Sequence, residues 1–241
     1  MTNVFFVSSW FLSVNCLHFA LSRRRVVQQD YAVTSEALDH LTAADKTLGR
    51  LIKKVGPCTM KRTRRSPFIA LVSAVTHQQL NGKAAQTILG RLKALYPGKP
   101  FPTPEDLART PVETLRSVGL SRAKAAAVRD IAEKTLVGIV PDARAIARLD
   151  DAEIVERLTA VRGVGPWTVE MLLMFTLGRL DVLPATDYGV RNGFALTYRS
   201  RELPPPAKIM EHGERWRPYR SIAAWYLWRA VDLARGQQTG G

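Results

Sequence analysis

Apolar positions recur at helical spacing from Ser35 onward, and the residues that interrupt them are those that start and stop helices. In DAEIVERLTAV, Ile154, Val155, Leu158 and Val161 fall on one helical stripe. SPFIALVSAVTHQQL is apolar almost throughout, which predicts a core helix. Ser66 can cap it, and Pro67 suits the first helical position, where its missing N–H would be unpaired anyway. Thr110, Pro111, Val112 and Glu113 read as a capping box before a short helix ending near Gly119, and Ser121 can then start SRAKAAAVRDIAEKTL. SIAAWYLWRAVDLA predicts the last helix. Strands have little room in this pattern, so the expected fold class is all-α, in two helical subdomains.

Proline and glycine mark the joints. Residues 96–107, YPGKPFPTPEDL, hold four prolines and a glycine, which predicts a rigid connector and a candidate join between subdomains. A second cluster, Pro204, Pro205 and Pro206, separates the central region from the last helix. LRSVGLSRAKAA, from Leu115, echoes LTAVRGVGPWTV, from Leu158: each reads helix, Val-Gly-type turn, helix. Either the two hairpins have related tasks, or short helix-turn-helix units simply resemble one another.

Bulk properties narrow the class of function. A chain of 241 residues, 46% hydrophobic, can bury one substantial core or two smaller ones without staples. Cys16 and Cys58 stand far apart, which excludes a disulfide framework, a zinc cluster or a cysteine-ligated iron–sulfur centre. Lys and Arg number 35 against 21 acids, a net charge of +14, so a polyanion is the first partner to consider. Residues 4–21, VFFVSSWFLSVNCLHFAL, are apolar, but Arg23, Arg24 and Arg25 follow them where a signal peptide would carry its charge in front. Asn15 and His18 would be costly in hydrocarbon. Residues 1–30 are therefore expected to extend outside the main fold, with a membrane anchor as the alternative, and residues 31–241 to form the functional domain.

The stretch VRGVGPWTVEMLLMFTLGRLDVLPATDYGVRNG concentrates the chemistry. Gly163 and Gly165 let the backbone turn tightly and approach another group, while Pro166 and Trp167 start the next helix. Amides at such a helix start can bind a DNA phosphate. Arg162, Gly163, Val164, Gly165 and Thr168 are the candidate backbone contacts. Further on, Asp187 should sit at the N-terminus of another helix, where a carboxylate is favoured. It is either a cap or a reacting group.

This segment resembles the signature of the helix-hairpin-helix (HhH-GPD) DNA glycosylases, specifically the 3-methyladenine DNA glycosylase II group. WRPYRSIAAWYLWR resembles that group's C-terminal segment, and SPFIALVSAVTHQQLNGKAA its first core helix and loop. The resemblance implies an all-helical enzyme that grips DNA with the hairpin and flips a damaged base into a cleft between subdomains. It implies Asp187 as the catalytic aspartate. Trp167 and Trp228 match pocket positions as stacking walls, with Tyr188 beside the aspartate and Met171 one turn beyond Trp167. Relatives that also cut the strand carry a lysine where Trp167 stands. Tryptophan cannot form a Schiff base, so a monofunctional enzyme is expected.

From the loop after the first core helix, Leu80 is the candidate wedge for the vacated stack, with Gln79 or Asn81 touching the orphaned base. Arg162, Lys83, Arg191, Arg217 and Arg220 are candidate phosphate partners, and KRTRR, residues 61–65, can add nonspecific attraction. No cofactor and no metal site are expected, apart from the monovalent cation that relatives hold on hairpin carbonyls. The expected partner is double-stranded DNA with damaged bases, met by a monomer that hands an abasic site to a separate endonuclease in the cytoplasm, with the nucleoid of a bacterium. Two alternatives stay open: a glycosylase of the same fold for deaminated or oxidised bases, and a noncatalytic DNA-binding module.

Overall fold

The computed structural model describes residues 34–238, so Cys16, segment 4–21 and the question of what residues 1–30 do lie outside the described residues. Among the described residues there are thirteen α-helices and no strand, the all-α class expected from the spacing of apolar positions. In chain order they begin with α1 (Ser35–Ala44), α2 (Lys46–Val55), α3 (Pro67–His77) and α4 (Gly82–Ala94). Next come α5 (Pro104–Arg109), α6 (Val112–Ser117), α7 (Arg122–Leu136), α8 (Ala143–Ile146) and α9 (Asp151–Thr159). The series ends with α10 (Pro166–Leu172), α11 (Tyr188–Tyr198), α12 (Pro206–Gly213) and α13 (Arg220–Gln238). A π-helical segment, Leu173–Leu177, continues α10, and a 3-10 turn, Glu214–Trp216, follows α12.

The chain divides into two compact units. Among the described residues, 64–172 belong to the first, and the second joins 34–63 to 173–238. The proline-rich stretch 96–107 lies inside the first unit and does not join the two, as its composition had suggested. The reason is local. Thr103 and Asp106 close a capping box that starts α5 within the stretch, and Lys99 pairs with Asp106 at 2.6 Å. Phe101 meets Phe68 of α3 edge to face, which pins the stretch to the core.

In the first unit α3 is central, with Phe68, Leu71, Val72 and Val75 buried and α7 and α10 packed against it. Its start follows the sequence expectation: Ser66 Oγ accepts the Ile69 N–H, and Pro67 stands in the first turn. Ser121 caps α7 in the same way. The capping box expected at residues 110–113 does not form, and Pro111 precedes α6 with no side-chain cap. The Thr110 hydroxyl is already used: it donates to the Asp106 carbonyl at 2.6 Å and meets Tyr96 Oη.

In the second unit α11 and α13 cross at the centre. The crossing requires glycine at position 193, where a Cβ would lie 2.0 Å from the Leu227 carbonyl oxygen. Asp45 ties the first helices of the unit to the last ones. Its Oδ1 accepts the Thr47 and Leu48 N–H groups at the start of α2, and its Oδ2 meets Tyr198 Oη, His212 Nε2 and Trp216 Nε1. Burial by itself would raise the pKa of this carboxyl. The hydrogen bonds from His212, Tyr198, Leu48 and Trp216 outweigh burial and hold it well below the usual carboxylate range. The prolines at 204–206 lead into α12, not directly to the last helix, because Pro206 occupies its first turn.

Candidate active site and DNA-backbone hairpin

Asp187 caps α11, its Oδ1 accepting the Val190 N–H at 2.8 Å. The same oxygen accepts the Trp228 indole N–H, also at 2.8 Å. The carboxylate is 3% exposed. A capping role requires neither this burial nor a second donor reaching in from α13. Gly189 makes the approach possible: a Cβ there would lie 2.8 Å from Trp228 Cδ1 and 3.0 Å from Asp187 Oδ1. Two donors from different helices thus fix the orientation of one carboxylate oxygen. Trp228, expected as a stacking wall, is buried with its N–H on Asp187 and its ring 6.1 Å from that of Phe175. Tyr188 follows the aspartate and is half-buried.

Phe175 belongs to the π segment, which displaces backbone carbonyls from the α-helical ladder. Thr63 donates to the Phe175 carbonyl through both N–H and hydroxyl, and Arg62 Nε donates to that of Thr176 at 2.9 Å. Part of the basic run 61–65 therefore completes the backbone beside Trp228, beyond any general attraction for polyanions. Arg217 and Arg220, read as phosphate partners, are ion-paired within the unit. Arg220 lies 2.7 Å from Asp181, and Arg217 reaches both Asp181 and Glu214. Arg191 Nε donates to the Pro204 carbonyl. Acidic and carbonyl acceptors far off in sequence engage all three.

In the first unit the hairpin between α9 and α10 turns at Gly163, whose φ is +76° and whose Cβ would lie 2.9 Å from that of Ala127. Both facts call for glycine. Val161 and Val164 are buried and anchor the turn, while the Arg162 side chain is exposed. Residues 159–165, with Asp130 and Lys134, line an open depression of 670 Å³.

The sequence pattern predicts outward-pointing amides along this turn. Three are instead occupied. The Arg162 N–H donates to Asp130 Oδ2 at 2.7 Å, the Val164 N–H to the Val161 carbonyl, and the Thr168 N–H to the Gly165 carbonyl. A tight turn closes on its own amides, and α7 contributes a carboxylate. Among the described residues, the Gly163 and Gly165 amides carry no hydrogen bond. Trp167, at the second position of α10, is half-buried, and Met171 is 2% exposed.

The loop after α3 also belongs to the first unit. Gln79 is exposed with φ +56°, Leu80 is half-buried, and Asn81 caps α4 by accepting the Ala84 N–H at 2.8 Å. His77, the last residue of α3, sits 2.7 Å from the Ser73 carbonyl. Burial, and then the charges of Arg65 and Lys124, lower its pKa against the opposing pull of that carbonyl.

The sequence profile of the HhH-GPD superfamily of base excision DNA repair proteins matches residues 72–218, a span that holds the loop, the hairpin and Asp187. The chain belongs to this superfamily. Among HhH-GPD relatives, it is 39% identical to DNA-3-methyladenine glycosylase 1 of Schizosaccharomyces pombe over 213 residues, 87% of this chain and 93% of the relative. The solved structure of the S. pombe 3-methyladenine DNA glycosylase in complex with abasic DNA superposes with a TM-score of 0.76 at 39% identity, covering 83% of this chain and 98% of that one. A DNA-3-methyladenine glycosidase from Bacillus halodurans superposes with a TM-score of 0.75 at 34% identity, covering 86% and 94%. Among the described residues of this HhH-GPD chain, no cluster of His, Cys, Asp and Glu is placed to hold a metal ion, and no helix is long and apolar enough to cross a membrane.

Proposed function

We propose that this HhH-GPD chain is a monofunctional DNA glycosylase that extrudes alkylated purines of the 3-methyladenine and 7-methylguanine type from duplex DNA and hydrolyses their glycosidic bond. The observation that carries the proposal is the buried Asp187 carboxylate, held on one oxygen by Val190 and Trp228. The names of the relatives support the lesion class.

A base must leave the stack before its sugar bond can be attacked, and a damaged pair is cheaper to open. Alkylation at a ring nitrogen makes the base cationic and weakens its bond to the sugar. The electron pair of that bond departs with the base, which leaves neutral, and positive charge develops on the sugar. A carboxylate held in a poorly hydrated site stabilises that charge strongly because nothing must reorganise as it appears. Water then adds at the sugar carbon and gives up a proton, so the product is an abasic site. Asp187 supplies the negative charge and is the acceptor available to align the water. The half-buried Trp167 attracts the cationic base through its face. Leu80 enters the vacated stack, and Gln79 or Asn81 meets the orphaned partner.

The Gly163 and Gly165 amides and the Arg162 side chain grip the adjoining phosphates. A monovalent cation at the hairpin would draw on backbone carbonyls there. Those of Val161 and Gly163 already accept hydrogen bonds, from Val164 and from the Gln78 amide. Trp167 has no amine, so the enzyme forms no Schiff base and leaves strand cleavage to a separate endonuclease. The enzyme works as a monomer on damaged duplex DNA.

Incubation of the purified protein with methylated duplex DNA tests this reading. Free 3-methyladenine should appear, with strand breaks only after alkali. Breaks without alkali would refute the monofunctional mechanism, and hypoxanthine as the preferred product would replace the lesion class.

A further inference from the structure

Gln78, where α3 gives way to the loop carrying Leu80, is held from two sides within the first unit. Its carbonyl and that of Thr76 accept the Lys124 ammonium at 2.5 and 2.9 Å. Its side-chain amide donates to the Gly163 carbonyl at 3.0 Å and to Thr168 Oγ1 at 3.4 Å. Lys124 is the third residue of α7, which starts at Arg122, and Thr168 the third of α10, which starts at Pro166.

These are the second helices of the two segments that echo one another in sequence, and each preceding turn contains a glycine of positive φ, Gly119 at +108° and Gly163 at +76°. The echo thus has a physical content: the same position of each hairpin reaches the same residue. A lysine on helix-end carbonyls is a common cap. Here, however, the capped residue uses its own side chain to bind the other hairpin. Immediately after it, Gln79 takes a left-handed conformation that non-glycine residues seldom adopt. Such a conformation persists only where the surroundings hold it.

We infer that Lys124 and Gln78 are positioning residues that lock the loop 79–81 onto both hairpins, so that opening of a base pair and the grip on the neighbouring backbone occur as one concerted step. The inference rests on the reading of the chain as a base-flipping glycosylase, and it deepens that reading.

Full-length Lys124→Met, Lys124→Arg and Gln78→Ala variants test it on two readouts. The first is single-turnover release of 7-methylguanine from a paired duplex site and from the same lesion in an unpaired bulge. The second is the fluorescence of 2-aminopurine beside an abasic analogue, which reports loop insertion without chemistry. Lys124→Met and Gln78→Ala should slow release from the paired site by up to about tenfold, the upper end of the loss for one hydrogen bond, while release from the bulge changes far less. The fluorescence change should shrink in parallel, and Lys124→Arg should restore both. Equal losses on the two substrates would show a merely structural role and overturn the inference, as would an unchanged fluorescence response. Should the unaltered protein release no methylated base, the glycosylase reading falls, while the fluorescence arm still decides whether Lys124 and Gln78 place the loop.

Discussion

At the scale of single residues, the Val190 N–H and the Trp228 indole hold one carboxylate oxygen, Asp187 Oδ1. Trp228→Phe keeps most of the ring and removes the donor to the buried Asp187 Oδ1, so release of methylated bases should slow about tenfold and stability should fall by about 1–3 kcal/mol. A single-turnover assay beside a melting curve checks both. Gly189→Ala places a methyl against Trp228 and Asp187 and should cost about 1–3 kcal/mol of stability, read by urea unfolding, together with most of the activity. The position of Asp187 at a helix start was legible, because Thr186 and Asp187 precede a helical run. The indole that orients it was not, since Trp228 stands 41 residues away and reads equally well as core. The need for glycine at 189 was hidden for the same reason: it is set by a ring arriving from another helix.

At the scale of elements, legibility followed the caps. Ser66 and Ser121 announced their helices, whereas α5 and α12 went unseen because Pro104 and Pro206, unlike Pro67, stand among other prolines, and such clusters read as connectors. The capping box at 110–113 failed because Thr110 was already engaged by α5, a competition that a local motif does not reveal. The hairpin was legible as a turn, but the engagement of the Arg162 amide by Asp130 depends on α7 and was not.

The junction at Asp45 leads to a pH prediction. Its folded pKa lies below the unfolded value, so the unfolded state binds more protons. The contribution to stability is therefore full above the ordinary aspartate range and is lost as pH falls through the folded value. Asp45→Asn should lower stability at neutral pH by about 3 kcal/mol, the cost of breaking a buried charged network. It should also flatten the loss of stability on acidification. Urea midpoints measured across the acid range decide this, and an Asn variant as acid-sensitive as the parent would contradict it.

At the scale of the whole molecule, the net charge of +14 suits a polyanionic partner, but the structure engages several of the cations expected to serve it. Arg217 and Arg220 are paired with acids, while Arg162 stays exposed on the hairpin. Affinity for undamaged duplex should fall steeply with salt. Arg162→Ala should reduce the log–log slope by about one, whereas Arg217→Ala should leave it unchanged. Fluorescence anisotropy at several salt concentrations measures both. The composition indicated the class of partner. Which cations face it was hidden, because ion pairing depends on residues brought together from distant parts of the chain.

The most direct measurement compares single-turnover release of methylated purines by Asp187→Asn and by the unaltered protein on the same duplex, with DNA binding measured in parallel. Loss of the charge should slow release by about a hundredfold or more, the scale of removing one preorganised electrostatic contact to a transition state, while binding is retained. Release by the Asn variant at the unaltered rate would contradict the account.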